Sequence, residues 1–392
     1  MQAGTSAALA LVLAALTVWG LGHAFRQHGS QPASRPITPD NVARLHLAWS
    51  AKVTDTAPQG PIASSTQVFV LGRTVHAYPG TCPARSCPAD WIGTSGSSNN
   101  DPSFAVGDRL VFMASESLWA FPQECGRAEA PCDPTWTSSN VPFEHFSSVA
   151  VGEGMVFGQA YFGDLFAYPE DCTASCRPLW HANTYGNQSA AVVGNGFVYS
   201  QNDHALRAFP VTCRRDGGLC GPVWSIRINS LASQPVYADG RVYALRGENE
   251  VVAFDADCAL RTGCRPRAVW NAPRVHGFAV ADDHVYVSTR DQVSAFPTIC
   301  PRGTCHPVWR TGHLRAAPST PTTADGLVFF SVGPHVLAMT ADCRRPGPVC
   351  PPAWDESLPV GAEGLSPPAA SGRGVYVLSE QGTLFAFEVP AG

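Results

Sequence analysis

Residues 165–180 read Leu-Phe-Ala-Tyr-Pro-Glu-Asp-Cys-Thr-Ala-Ser-Cys-Arg-Pro-Leu-Trp. This stretch combines a short apolar run that contains Ala, two cysteines four positions apart, and a tryptophan. The same order of features recurs along most of the chain. A unit that recurs at a nearly constant spacing is the signature of an array of similar supersecondary structures. The sequence therefore predicts a repeat protein.

The Ala-containing run occurs eight times, with Ala at its third position in every copy. The fourth residue is aromatic in all copies except one, which has Met339. Short runs of β-branched and aromatic residues, bounded by turns such as Asp239-Gly240, are typical of antiparallel strands and hairpins. Each copy is therefore predicted to be one strand of a small antiparallel sheet. The copies begin at residues 75, 118, 165, 206, 251, 293, 336 and 384.

The fourteen cysteines fall into seven close pairs. Within a pair the positions differ by 4 to 7, and from one pair to the next the step is 41 to 47. Structural zinc sites favour fixed short spacings such as C-x₂-C, and no pair here has two intervening residues. The regular repeat instead predicts a disulfide within each pair, which places the chain in an oxidising compartment. The predicted bridges are Cys82–Cys87, Cys125–Cys132, Cys172–Cys176, Cys213–Cys220, Cys258–Cys264, Cys300–Cys305 and Cys343–Cys350.

A tryptophan follows each cysteine pair, and an eighth, Trp49, lies near the N-terminus with no pair before it. The last Ala-containing run, Leu384–Phe387, has no tryptophan after it. Four short strands in each repeat of this length describe one blade of a β-propeller. We therefore predict an all-β, eight-bladed β-propeller of four-stranded antiparallel blades, with seven intra-blade disulfides. An N-terminal strand around Trp49 completes the eighth blade, and the aromatic residues pack between neighbouring blades.

The segment Ile37–Trp49 resembles the opening of quinoprotein alcohol dehydrogenases and their pyrroloquinoline-quinone-like (PQQ-like) relatives. The Leu-x-Ala-Phe run and the tryptophan that ends each blade resemble the repeat of the same family. Together these features cover nearly all of residues 37–390. The resemblance implies an eight-bladed propeller. It does not imply catalysis, because the family includes non-enzymatic members such as the propeller lipoprotein of the outer-membrane β-barrel assembly machine.

Three features depart from the dehydrogenases that the chain resembles. No two cysteines are adjacent, whereas those enzymes carry a vicinal disulfide over the quinone. The spacing from Ala to Ala is 41 to 48 residues, which leaves little room for the insertions that supply their catalytic and calcium-binding residues. Only Asp255 and Glu388 keep the acid that usually follows the Ala-aromatic pair. The sequence therefore favours a protein without catalytic residues, metal or cofactor, with PQQ and calcium as the alternative.

Residues 1–24 contain an apolar run from Ala7 to Leu21, followed by small residues at Gly22 and Ala24. This pattern is typical of a signal peptide, and the run is also nearly long enough for a membrane anchor. Residues 25–36 are predicted to be a linker and residues 37–392 the propeller. Both interpretations of the leader place the protein outside the cytoplasm, whether periplasmic, secreted or anchored.

The loops from the last strand of one blade to the first strand of the next gather at one mouth of the axial channel. Polar residues in these loops are the candidate binding residues. They are Asn100, Asp101, His145, Asn187, Gln188, Arg274, His276, Arg315 and Glu363. The net charge of −5 comes without a block of like charge, so no nucleic-acid partner is expected, and membrane contact is expected only through the possible anchor.

These features favour an exported monomeric scaffold, without catalytic activity, that binds a protein or peptide partner. The alternative is a quinone- or metal-binding oxidoreductase of the quinoprotein type.

Overall fold

The computed structural model describes residues 35–55, 59–94, 103–126, 130–139, 145–160, 163–186, 190–230, 233–258, 264–300, 305–343, 349–359 and 364–390. These residues form eight β-sheets and a short 3₁₀ helix, Val42–Arg44. The predicted all-β, eight-bladed propeller is confirmed. The leader at residues 1–24 and nearly all of the linker lie outside the described residues. Within the described part of the chain, no helix is both long enough and apolar enough to cross a membrane.

Each blade has four antiparallel strands, which in blades 1 to 7 follow one another in sequence order. The sheets of blades 1 and 2 gain a fifth, parallel strand, described below. Blade 1 consists of β2 (Gln59–Ala63), β3 (Gln67–Leu71), β4 (Thr74–Pro79) and β5 (Trp91–Thr94). Blade 2 consists of β6 (Ser103–Val106), β7 (Leu110–Ala114), β8 (Leu118–Pro122) and β10 (Trp136–Ser138). Blade 3 consists of β11 (Phe146–Gly152), β12 (Met155–Ala160), β13 (Asp164–Pro169) and β15 (Trp180–Asn183). Blade 4 consists of β16 (Ala190–Gly194), β17 (Phe197–Gln201), β18 (Ala205–Pro210) and β19 (Trp224–Arg227).

Blades 5 to 7 repeat this arrangement, and blade 8 takes its outermost strand from the N-terminal part of the chain. Blade 5 consists of β20 (Val236–Ala238), β21 (Arg241–Arg246), β22 (Glu250–Asp255) and β23 (Ala268–Asn271). Blade 6 consists of β24 (Gly277–Ala281), β25 (His284–Ser288), β26 (Val293–Pro297) and β27 (Trp309–Arg310). Blade 7 consists of β28 (Thr322–Ala324), β29 (Leu327–Val332), β30 (His335–Thr340) and β31 (Trp354–Ser357). Blade 8 consists of β32 (Ala369–Ala370), β33 (Gly374–Leu378), β34 (Thr383–Glu388) and β1 (His46–Lys52).

The register between the last two strands of a blade explains the alanine in every repeat. In seven blades the tryptophan of the outermost strand lies opposite that alanine, as Trp91 lies opposite Ala77. A methyl side chain at this position leaves room for the large indole ring beside it. Blade 5 departs from the rule, since Trp270 lies opposite Val251 and Ala253 lies opposite Ala268.

The tryptophans pack between neighbouring blades, as predicted. Trp91 lies between Phe69 of its own blade and Phe121 of the next, with ring centroids 6.0 and 6.2 Å away. Its indole N–H donates a hydrogen bond of 2.8 Å to the carbonyl oxygen of Gln123, just beyond the third strand of that next blade. The same aromatic contact recurs around the ring, so each blade buries a face that it could not bury alone.

All seven predicted cysteine pairs are disulfide-bonded, with Cα–Cα distances of 5.1 to 6.1 Å. They lie in the hairpins that join the third and fourth strands. Because the strands alternate in direction, these hairpins share one face of the propeller, called the disulfide face below, with the turns between the first and second strands.

Several disulfide hairpins also dock on the preceding blade, which the sequence did not predict. The hairpin strand β9 (Ala130–Cys132) pairs in parallel with β5, and β14 (Ala174–Cys176) pairs in parallel with β10. Single parallel bridges connect other hairpins to the preceding outer strand, as between His181 and Leu219. The hairpins thereby cover outer strand edges that would otherwise expose unpaired backbone groups.

Candidate functional site: the axial channel

The first strands of the blades surround the axis of the propeller. Each contacts the first strand of the next blade, and β32 of blade 8 contacts β2 of blade 1, which closes the ring. Two cavities, of about 660 and about 640 Å³, lie along this axis and share Gln234 and Thr322 as lining residues. We treat them together as the axial channel, which is the candidate site.

The channel is lined mainly by uncharged side chains, many of them small. The first cavity is lined by Gly60, Pro61, Ile62, Ala63, Ser103, Phe104, Ser147, Gln234, Thr322, Pro367, Pro368, Ala369 and Ala370. The second is lined by Val192 and by residues 233–237, 276–280 and 320–323. None of these described lining residues is Asp, Glu, Lys or Arg. His276 is the only histidine among them.

Prolines stand in or beside the first strands of blades 1, 5, 7 and 8, where they line the channel. They are Pro61, Pro235, Pro321, Pro367 and Pro368. The inner edge of a first strand has no neighbouring strand, and proline removes an N–H donor from such an edge. In these four blades the prolines therefore remove backbone donors beside the channel, which limits pairing with an added strand.

A buried polar network supports the channel wall in blades 3 and 4. The Gln159 side chain donates to Thr184 Oγ1 over 3.1 Å and accepts from the Ser200 hydroxyl over 2.7 Å. Ser147, which lines the channel, donates to the Gln159 carbonyl oxygen over 3.1 Å. Gln159, Thr184 and Ser200 are almost completely buried, so these bonds hold the wall in one arrangement. These three residues stand at ordinary strand and loop positions of their repeats, so nothing in the sequence pointed to the network.

The structure places one of the predicted mouth residues in the channel. His276 lines the second cavity, and its backbone N–H donates to the Ser288 carbonyl oxygen over 2.9 Å. His145, Arg274 and Arg315 are exposed and are not among the residues that line the two cavities. Asn100, Asp101, Asn187, Gln188 and Glu363 lie outside the described residues.

Sequence reasoning missed a buried titratable group close to the N-terminal strand. His76 Nε2 lies 3.5 Å from Asp55 Oδ2 and 2.8 Å from Thr74 Oγ1, and Thr74 donates to the same carboxylate oxygen over 2.7 Å. Burial lowers the pKa of His76, and the nearby Asp55 carboxylate opposes this effect. Because one imidazole nitrogen faces both partners, the trio lacks the geometry of a proton relay, in which two nitrogens bond different groups. Its evident role is to fasten the chain after β1 to blade 1.

Among the described residues, no group of three or more His, Cys, Asp or Glu side chains is placed to hold a metal ion. The channel wall therefore offers hydroxyl, amide and apolar contacts to a ligand.

No protein-family model matches the chain, and no curated protein matches it either. The chain does match solved structures. BamB from Moraxella catarrhalis aligns with a TM-score of 0.63 at 14% identity, over 88% of this chain and 99% of that chain. The quinohemoprotein alcohol dehydrogenase ADHIIG from Pseudomonas putida HK5 aligns with a TM-score of 0.60 at 12% identity, over 92% of this chain and 78% of that one. The chain shares an eight-bladed β-propeller fold with these structures.

The computationally designed Ika8 protein is also similar, with a TM-score of 0.66 at 9% identity, over 86% of this chain and 99% of that chain. At such identities the likeness shows the propeller fold alone, and the activity has to be argued from the residues of this chain.

Proposed function

We propose that this PQQ-like propeller is an exported, non-catalytic scaffold whose axial channel binds a segment of a protein or peptide partner. The observation that carries the proposal is the uncharged lining of the channel, whose described residues include no Asp, Glu, Lys or Arg and a single histidine, His276. General acid–base catalysis requires titratable side chains at the reacting atoms. An uncharged channel lining therefore favours a binding role over a catalytic one.

The lining also indicates what kind of segment would bind. Ser103, Ser147, Gln234 and Thr322 offer hydroxyl and amide groups, and Phe104 offers an apolar surface. A charged segment would lose its hydration in this channel without gaining an opposite charge from the described wall. We therefore expect an uncharged segment with small polar or apolar side chains.

Two features support a rigid, preformed site outside the cytoplasm. The seven disulfides favour an oxidising compartment, where such bonds persist. They also restrain the hairpins around the disulfide face, while the Gln159 network holds the wall. A preformed site loses less conformational entropy when a partner binds.

The alternative is a quinone- or metal-binding oxidoreductase. Calcium in proteins takes about six to eight oxygen ligands, usually with several carboxylates among them. The described channel lining contains no carboxylate. The scaffold interpretation is therefore favoured over the oxidoreductase.

The test is affinity capture of partners from an envelope extract by the full-length protein. Ser103→Arg places a long cation in the neutral channel, and Ser225→Arg, on the exposed outer strand of blade 4, is the matched control. We expect a specific partner that wild type and Ser225→Arg retain and that Ser103→Arg loses. Equal capture by all three proteins would show that the partner does not bind in the channel.

A second measurement tests the alternative. The protein is mixed with PQQ and calcium, the visible spectrum is recorded, and dye-linked alcohol oxidation is assayed. We expect no bound quinone and no turnover. Quinone binding with turnover would replace the scaffold interpretation with the oxidoreductase.

A further inference from the structure

A separate cavity of about 420 Å³ lies on the disulfide face, at the junction between blades 1 and 2. Gln67 and Asp90 of blade 1 and Glu124 of blade 2 line it, together with Pro79, Trp91 and Cys125. We call it the junction cavity. The channel mouth formed by the loops between blades lies on the opposite face, so this cavity is distinct from the proposed channel site.

Gln67, which lines this cavity, has a buried side-chain acceptor without a donor. Its side-chain nitrogen donates a long hydrogen bond of 3.4 Å to Asp90 Oδ2, and its amide oxygen Oε1 is buried with no hydrogen-bond partner. Only 7% of the residue is exposed. A buried amide oxygen without a donor costs free energy, and such groups are rare in folded proteins. This oxygen therefore points to a ligand that donates hydrogen bonds.

The two carboxylates of the cavity have no cationic partner among the described residues. Neither Asp90 nor Glu124 forms an ion pair there. Burial raises the pKa of Asp90, and the hydrogen bond from Gln67 opposes the rise. A cation beside Asp90 would favour its charged form. The polar side of the cavity thus combines two acids with an amide oxygen that can only accept.

Pro79, Trp91 and the Cys125 disulfide give the cavity an apolar surface, and Thr66 and Gly126 complete its lining. Long aliphatic ammonium groups place their methylene stem on apolar surface and their charged head among acceptors. We propose that the junction cavity binds an aliphatic primary ammonium group, with Gln67 Oε1, Asp90 and Glu124 as its acceptors. Two sources share this chemistry, namely a lysine side chain presented by a partner protein and a free alkylamine.

The chain contains a matched comparison for this site. Asp342 precedes Cys343 in blade 7 as Glu124 precedes Cys125 in blade 2, and it is exposed. At that junction His284 holds the register position of Gln67, and Val308 precedes Trp309 as Asp90 precedes Trp91. Asp342→Asn therefore removes one acid from the same place in a hairpin that lacks the other two acceptors.

The experiment is calorimetric titration of the full protein at pH 7 with two probes, acetyl-Gly-Lys-Gly-amide and n-butylamine. The same peptide with an acetylated lysine amine is the neutral control. We expect the ammonium peptide to bind and the acetylated peptide not to bind. Gln67→Leu and Asp90→Asn should each weaken binding about tenfold, because each removes an acceptor of a charge-assisted hydrogen bond. Asp342→Asn should leave the affinity unchanged.

The two probes separate the sources of the ammonium group. A peptide that binds more tightly than n-butylamine indicates a presented lysine, and equal binding indicates a free amine. Circular dichroism checks folding of each variant, and the exposed Glu124→Gln replaces any variant that does not fold. Failure of both ammonium probes to bind, or binding that survives lysine acetylation, would overturn the proposal.

Discussion

The indole Nε1 of Trp354 donates a hydrogen bond of 3.0 Å to the carbonyl oxygen of Leu45, 309 residues away in the chain. Ile37, Val42 and Leu45 are buried in the same cluster as Trp354. Elsewhere a disulfide hairpin packs on the tryptophan of the preceding blade, as the hairpin of Cys132 packs on Trp91. At the junction of blades 7 and 8, residues 37–45 therefore occupy the place that a disulfide hairpin occupies elsewhere.

Leu45→Ala should destabilise the propeller by about 2–4 kcal/mol, because it leaves a cavity where no disulfide limits local opening. Urea denaturation followed by tryptophan fluorescence measures the loss. His46→Ala, at the exposed neighbouring position, is the control and should change stability little. If the two variants were equally stable, residues 37–45 would not hold this junction together.

Glu388 should make stability rise on mild acidification. It accepts the Trp49 indole N–H over 3.1 Å, and burial raises its pKa above 4.5, with the hydrogen bond opposing the rise. The folded state therefore binds this proton more strongly than the unfolded state, and stability increases as the pH falls from 7 towards 4.5. Glu388→Gln should remove that increase, which thermal melts at pH 7 and pH 5 would show. Glu380→Gln, at an exposed position, should melt with the wild-type pH dependence.

His76, in contrast, should make stability fall on acidification. Burial lowers its pKa below 6.5, so between the folded and unfolded pKa values the unfolded state binds the proton more strongly. Its contribution is complete above pH 6.5 and is lost as the pH falls through this window. Melting wild type and His76→Gln at pH 7.5 and pH 5.5 should show a smaller acid-induced loss in the variant. The exposed His46→Gln should behave as wild type, and an identical loss in all three proteins would contradict this role of His76.

Replacing Cys172 and Cys176 by Ser should cost about 2 kcal/mol, the chain-entropy value for closing so short a loop. The hairpin strand β14 also covers β10 of the preceding blade, where the Ser139 N–H donates to the Cys176 carbonyl oxygen over 2.8 Å. Amide hydrogen exchange should therefore accelerate at Ser139 in the variant. The amides of β31, where no disulfide hairpin docks, should keep their wild-type rates. Unchanged exchange at Ser139 would show that the docked hairpin holds without its bridge.

The fold was largely predictable because each blade is encoded within one repeat. A tryptophan opposite an alanine, a cysteine pair and a short strand are local patterns, and Trp180, Ala167 and Cys172 stand within one stretch of sequence. The pairing of cysteines follows from the same locality. The backbone pairing of a hairpin with the preceding blade leaves no such pattern, so this docking was not predicted.

The candidate site was less predictable. Ser103, Gln234 and Thr322 line one cavity although they belong to three different blades. Of the predicted mouth residues, His276 is among those that line the channel, and the exposed His145, Arg274 and Arg315 are not. A polar side chain indicates exposure or function, but it does not indicate whether the residue lines the channel.

By itself, the sequence determined the blade repeat, the cysteine pairs and the identity of the packing tryptophans, because these depend on contacts within a blade and its immediate neighbour. Only the tertiary structure decided that the first strands enclose a neutral channel and that Leu45 takes the place of a disulfide hairpin beside Trp354. Closing the ring brings distant side chains together. Which of them meet depends on the geometry of the whole ring, which no single repeat specifies.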